Sequence, residues 1–244
     1  MFTISFTHSI SFRRFFSRIQ LWIVLTALLP GCHTGADIYP EHLLAHRAKR
    51  IAQFKQENAH LSAPKTIILL GDSITEGFDA ARYFPSLPIL NRGIVADHTG
   101  IEGSGVLQRL DESIYQCRPR AVFLMIGVND LADKKYRPRQ IAAGAEKIIQ
   151  KIHRFDPSIA VYLQSALPAT GKYAHLNSLI VEYNRRLILI AAETHVEFID
   201  LHAQFVDDSG QLKAEYSRDG IHLTDAGYDA WKQIVLPLLQ QVLQ

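Results

Sequence analysis

The stretch Thr66-Ile67-Ile68-Leu69-Leu70-Gly71-Asp72-Ser73-Ile74-Thr75-Glu76-Gly77 joins an apolar, β-branched run to a glycine turn that presents a serine hydroxyl. A continuous apolar run reads as a strand covered on both faces, as in a parallel sheet. Catalytic groups in such sheets gather at the C-terminal ends of the strands, where loops surround a crevice. A Gly-Asp-Ser turn alone is unremarkable as chemistry. A serine hydroxyl becomes a nucleophile only with a base, an orienting acid and donors for an oxyanion.

Outward from this stretch, apolar runs alternate with amphipathic ones. Further strands are expected at 87–91, 121–126, 159–164 and 195–199, beside the first at 66–70. Helices are expected at 103–115, 138–154, 175–193 and 224–241. Residues 41–58 also carry a helical pattern, with Leu44, Ala48, Ile51 and Phe54 on one side, and should pack on the domain. Strands alternating with helices imply an α/β fold with a parallel, doubly wound sheet of about five strands. Thr224 should cap the last helix, and Trp231 within it reads as core.

The chain has 244 residues, 48% of them hydrophobic and 20% charged, which suits one α/β domain with a sizeable core. A formal net charge of +2 and the lack of a basic block argue against a nucleic-acid partner. No spacing of His and Cys suggests a metal site. Two cysteines are present, Cys32 and Cys117, and Cys117 reads as a small buried hydrophobe.

The first 31 residues read as a leader. Arg13, Arg14 and Arg18 precede the apolar run 21–29, a charged region followed by a hydrophobic one, as in a secretory signal. The run is shorter than the ~20 residues that span a bilayer. Its end, Leu29-Pro30-Gly31-Cys32, resembles the bacterial lipobox, with Pro30 as the departure. That resemblance implies lipidation at Cys32, with 32–40 as a tether to a domain over 41–244. A plain signal peptide with an incidental cysteine, or a twin-arginine signal around Arg13-Arg14, is the alternative. The address is the bacterial cell envelope, lipid-anchored or periplasmic/secreted, with membrane contact only through the anchor.

Three further clusters follow expected strands or lie near the end of the domain: Asn91-Arg92-Gly93-Ile94-Val95-Ala96-Asp97-His98-Thr99-Gly100, Gly127-Val128-Asn129-Asp130, and Asp219-Gly220-Ile221-His222. With Ser73 they form an ordered set that resembles the SGNH hydrolases, also called the GDSL family. Within that family the chain is similar to compact bacterial esterases related to platelet-activating-factor acetylhydrolases and carbohydrate O-acetylesterases, a kinship to which 105–110 adds. The resemblance implies a flavodoxin-like three-layer α/β/α sandwich. It also implies an oxyanion hole made by the backbone N–H of Ser73, the side chain of Asn129 and a backbone N–H of the second cluster. The family usually has glycine at that last position; Ala96 stands there here. Alanine offers the same N–H but adopts φ > 0 less cheaply.

The residue chemistry agrees. His222 can serve as base to Ser73, and Asp219, three residues before it, can orient the ring and stabilise the imidazolium. A Gly-x-Ser-x-Gly elbow is absent, because Thr75 occupies the second glycine position. Asp72 should brace the serine turn and Asp130 the Asn129 turn. Asp200, after the last strand, is the second candidate acid. His98 and Arg92 are candidate substrate contacts, and Arg109 shares with Arg92 the chance of meeting an anionic group.

The expected activity is serine esterase chemistry through an acyl-enzyme on Ser73, with no cofactor or metal. Short inter-strand segments leave little material for a lid, so short acyl groups, above all acetyl, on a sugar or similar alcohol are expected, sialic acid O-acetyl groups included. A lysophospholipase or platelet-activating-factor-type acetylhydrolase is the alternative within the enzyme class. A catalytically weak envelope binding protein is the alternative outside it.

Overall fold

Side chains alternate across a strand, so successive residues of an apolar run serve opposite cores. A computed structural model describes residues 40–61, 66–101 and 103–244. The expected leader, Cys32 and all of the tether but Pro40 lie outside these. Helix α1 (Glu41–Ala59) is followed by strand β1 (Ile67–Gly71), the short helices α2 (Ser73–Glu76) and α3 (Ala80–Tyr83), and strand β2 (Ile89–Gly93). Then come β3 (Ala121–Met125), α4 (Val128–Ala132), α5 (Pro138–Phe155), β4 (Ala160–Gln164), α6 (Asn177–Thr194), β5 (Glu197–Ile199), α7 (His202–Phe205) and α8 (Asp225–Leu243).

The five strands form one sheet in the order β2-β1-β3-β4-β5, every neighbouring pair parallel. Ile68, Leu70, Val122, Leu124, Val161 and Leu163 face one core, against Ile141, Ala145, Ile148 and Ile152 of α5 and Ile180, Tyr183 and Leu187 of α6. Ile67, Leu69, Ala121, Phe123, Met125 and Ile199 face the other, against Phe78, Phe205 and the α8 residues Trp231, Val235 and Leu239. The odd–even split of one apolar run thus produces a three-layer α/β/α sandwich. Trp231 is core, with its indole N–H donating to Gln164 Oε1 at 2.7 Å. Cys117 is free and buried.

The expected helix over 103–115 is not continuous. A 3-10 turn at Val106–Gln108 gives way to a π turn at Asp111–Tyr115. Arg109, between them, turns its guanidinium into the core rather than following an amphipathic surface. Strand β2 begins two residues later than expected and runs through Asn91 and Arg92. These polar residues fit a strand because both find partners. Asn91 Nδ2 donates to the carbonyls of Thr75 and Phe78 at 2.6 and 2.8 Å. Arg92 bonds to Glu57 and Asn58 of α1 and stacks over Phe54 at 4.6 Å.

Arg92 is therefore not a substrate contact. Its side chain is wholly buried beneath α1, and Arg109 is buried too. A guanidinium escapes burial cost only when paired, and for both residues those pairs came from segments distant in sequence.

Candidate active site

Strand β1 ends at Gly71, and the chain turns at once into α2, of which Ser73 is the first residue. Asp72 caps that helix, its carboxylate accepting from Ile74 N–H at 3.0 Å. Asp72 thus braces the serine turn. Burial pushes its carboxyl up to about 7 against the opposing hydrogen bond from Ile74, and the charges of Asp97 and Asp130 add to the rise.

The segment from Ser217 to Leu223 is a tight loop closed by a bridge between these two residues. Arg218 N–H donates to the His222 carbonyl at 2.8 Å, and Gly220 N–H to Ser217 Oγ at 2.6 Å. Gly220 sits at φ +105, and a Cβ there would lie 2.4 Å from the Thr170 carbonyl oxygen, so the turn requires glycine. Thr224 then caps α8, accepting from Gly227 N–H at 3.2 Å.

That loop carries His222 to Ser73. His222 Nε2 lies 3.0 Å from Ser73 Oγ, and His222 Nδ1 lies 2.8 Å from Asp219 Oδ2. An ionised carboxylate can only accept, so the ring proton sits on Nδ1 and the Nε2 lone pair faces the serine hydroxyl. Asp219 Oδ1 also accepts from the backbone N–H groups of His222 and Ile221 at 3.0 and 3.1 Å. Partial burial alone would raise the Asp219 pKa. The bonds from the His222 ring and the two N–H groups outweigh it and hold the carboxyl at about 2. Asp200, the other candidate acid, instead accepts from Ala203 N–H at 3.1 Å at the start of α7.

The second and third clusters meet each other through Asn129 and Asp97, and the second reaches the cavity at Ser73 through Val95. Asn129 is the second residue of α4, which starts directly after Gly127, a glycine left-handed at φ +116 and packed so closely on Tyr183 that a Cβ would come within 2.6 Å of its hydroxyl. Asn129 Nδ2 donates to the Asp97 carbonyl at 2.9 Å, which uses one of its two N–H groups. Ala96 sits at φ +59, in the left-handed region that glycine would occupy without strain. Asp130, the residue after Asn129, braces the Asn129 turn against the second cluster. Its carboxylate accepts from Thr99 N–H at 3.0 Å and Thr99 Oγ1 at 2.6 Å, so it ties the second cluster to α4.

A cavity of about 460 Å³ opens at Ser73, lined by Glu76, Gly77, Val95, Arg218, His222, Leu223 and Tyr228. His98 stands outside this lining, close enough to Asp130 for its charge to favour the carboxylate. Sequence reasoning missed Glu76, Val95, Arg218 and Tyr228. Glu76 carried a usable signal, because three residues along a helix from Ser73 is the same face. The other three come from loops and from α8, where no periodicity connects them to the serine. Among the described residues no three His, Cys, Asp or Glu side chains converge to hold a metal ion.

A hydroxyl, an imidazole and a carboxylate hydrogen-bonded in line define a serine hydrolase site. A family model for GDSL-like lipases/acylhydrolases matches residues 69–230, and the chain belongs to that family. It is a carboxylic ester hydrolase acting on small-molecule esters. The platelet-activating factor acetylhydrolase IB subunit alpha2 of Rattus norvegicus is 25% identical over 184 residues, covering 73% of this chain and 76% of that one. The isoamyl acetate-hydrolyzing esterase 1 homolog of Bos taurus is 25% identical over 203 residues, covering 72% and 81%. A solved structure from Streptococcus pneumonia superposes with a TM-score of 0.72 at 30% identity, covering 81% of this chain and 94% of that one.

Proposed function

We propose that this protein removes short acyl groups, above all acetyl, from a sugar or similar alcohol through an acyl-enzyme on Ser73. The line Asp219–His222–Ser73, with spacings of 2.8 and 3.0 Å, carries the reading. His222 Nε2 takes the hydroxyl proton as Ser73 Oγ bonds to the ester carbonyl carbon. The tetrahedral oxyanion accepts from the N–H groups of Ser73 and Ala96 and from the second N–H of Asn129 Nδ2. Collapse breaks the bond to the alcohol oxygen, which leaves with the proton from His222. Water, deprotonated by the same nitrogen, then attacks the acyl carbon. The carboxylic acid leaves and Ser73 recovers its proton.

Three observations support a small acyl group. The cavity at Ser73 is modest in volume and mixes Glu76 and Arg218 with Val95, Leu223 and Tyr228. Both mammalian relatives carry names that concern acetyl esters. The chain turns into a short helix after at most two intervening residues at the ends of β1 and β3, which leaves no lid material at those two strand ends. The experiment is a nitrophenyl ester series from C2 to C8 run on wild type and Ser73→Ala. Wild type should favour C2, and the variant should lose on the order of 10⁶ in kcat, as nucleophile removal does in serine hydrolases. Undiminished turnover by Ser73→Ala, or faster hydrolysis of C8 than C2, sinks the proposal.

The platelet-activating-factor relatives favour a second reading, in which the acetyl group sits on a phospholipid. Acetylated sugars and an acetylated phospholipid offered side by side discriminate the two. The leader supports placement in the cell envelope, anchored at Cys32. A mature chain whose mass shows no lipid on an N-terminal Cys32 removes the anchor.

A further inference from the structure

We propose that α1 is a positioning element for the oxyanion loop, acting through Arg47 on Asp97. The inference rests on the reading of Ala96 N–H and Asn129 as oxyanion donors.

Asp97 joins those two donors. Its backbone carbonyl accepts from Asn129 Nδ2, and its own peptide neighbour is Ala96. Its carboxylate is 0% exposed, so it requires partners. It has one cation on each oxygen. Arg109 Nε donates to Oδ2 at 2.7 Å, while Arg47 Nη1 donates to Oδ1 at 2.5 Å. Arg109 is fixed in turn by Ser113 Oγ at 2.8 Å and the Gly71 carbonyl at 3.0 Å, at the foot of the serine turn. Arg47 comes from α1, which lies outside the family-matched residues 69–230. Its other nitrogen, Nη2, holds the Gly105 carbonyl at 2.8 Å.

The same helix grips the loop at two more points. Arg50 Nη2 donates to the Gly93 carbonyl at 3.1 Å. His46 Nε2 lies 2.9 Å from Glu76 Oε1, and Glu76 Oε2 accepts from Val95 N–H at 2.6 Å. Residues 93, 95 and 97 are therefore each held, with Ala96 between the last two. Ala96 needs that hold. Its left-handed backbone is unfavourable for alanine, and relaxation to φ < 0 would turn its N–H away from the orientation the oxyanion reading gives it. Arg47 is thus a positioning residue, supplying from outside the family-matched region the restraint that a glycine at 96 would make less necessary.

The test is a double-mutant cycle of Arg47→Met and Ala96→Gly, read as kcat and KM on nitrophenyl acetate. Arg47→Met should lower kcat by about 10- to 100-fold, less than outright loss of an oxyanion donor, with KM within about twofold, since a positioning defect acts on the transition state. In the Ala96→Gly background the same substitution should cost at least about threefold less, because glycine takes φ > 0 without help. An equal loss in both backgrounds, or no loss in Arg47→Met, overturns the proposal. If Arg47→Met does not fold, the cycle is run with Arg47→Lys, which keeps the charge but not the two-pronged grip on Asp97 and Gly105. Failure of the underlying reading is separate: full turnover by Asn129→Ala would remove the oxyanion assignment whatever Arg47 does.

Discussion

The two sides of Ser73 are built by opposite means. On one side, His222 and Asp219 have side chains 45% and 46% exposed and sit three residues apart in a surface loop. Their geometry is set by local bonds: two backbone N–H groups and one glycine turn. On the other side, Asp97 and Arg109 are 0% exposed and the loop is held by ion pairs that reach 12 and 50 residues along the chain. The difference follows from the work each side would do. A proton shuttle must exchange with water and substrate, so a hydrated pair on a short loop serves. A bank of N–H dipoles stabilises charge only if it is already oriented when the charge forms, which calls for a rigid, water-excluded frame.

The acid–base side should show the larger effect. Asp219→Asn is expected to lower kcat by about 10⁴, because an amide that donates to Nδ1 would favour the tautomer with the proton on Nε2, facing Ser73. The pH dependence of the pair has a definite sign. The Asp219 carboxyl is lowered in the fold to about 2 from 3.8, so the stability it contributes is present above about pH 4 and lost as pH falls toward 2. Nitrophenyl acetate kinetics measure the first claim. A variant retaining more than a tenth of wild-type kcat would place the orienting acid elsewhere, and with it the local design of this side.

The oxyanion side should yield less to a single deletion. Asn129→Ala removes one donor and should cost about 10²- to 10³-fold in kcat, with KM little changed. It also frees the Asp97 carbonyl, so labelling of Ser73 by a fluorophosphonate, which needs the same hole, should slow in parallel. Labelling at the wild-type rate with turnover lost would separate Asn129 from the hole.

Much of this architecture was legible in the residues because it is local. The five strands announced themselves as apolar runs, and Ser73, Asn129, Asp219 and His222 as clusters at strand ends or before the last helix. What escaped was whatever depends on a distant partner. Arg92 and Arg109 read as accessible side chains that could meet an anionic substrate group because arginines are usually exposed. Nothing near them in sequence announces Glu57, Asn58 or Asp97 as partners. The broken helix over 103–115 has the same cause, since inward-turning Arg109 defeats the amphipathic pattern. Ala96 is the intermediate case: its departure from glycine was visible, but the clamps on residues 93, 95 and 97 that accompany its φ +59 were not.

The smallest expected effect concerns stability, and it sets one aspartate of each side against the other. Asp219 is held at about 2 by donors, whereas Asp72, buried beneath the serine turn with Asp97 and Asp130 as like charges, is pushed up to about 7. Between its ordinary 3.8 and about 7, Asp72 is protonated in the fold and ionised in the unfolded chain. The fold then binds the extra proton, so stability from this group is full below about pH 4 and is lost as pH rises toward 7, the reverse of Asp219. Asp72→Asn keeps an oxygen to cap Ile74 N–H and removes the titration. It should flatten the fall and stabilise the fold at pH 8 by about 2 kcal/mol, roughly half of full linkage because the amide must still leave water. Urea unfolding at pH 5 and pH 8 measures both. If wild-type stability rises between those values and Asp72→Asn shares its slope, Asp72 is charged in the fold. The buried side of the site would then hold its carboxylates by hydrogen bonds, as the exposed side does.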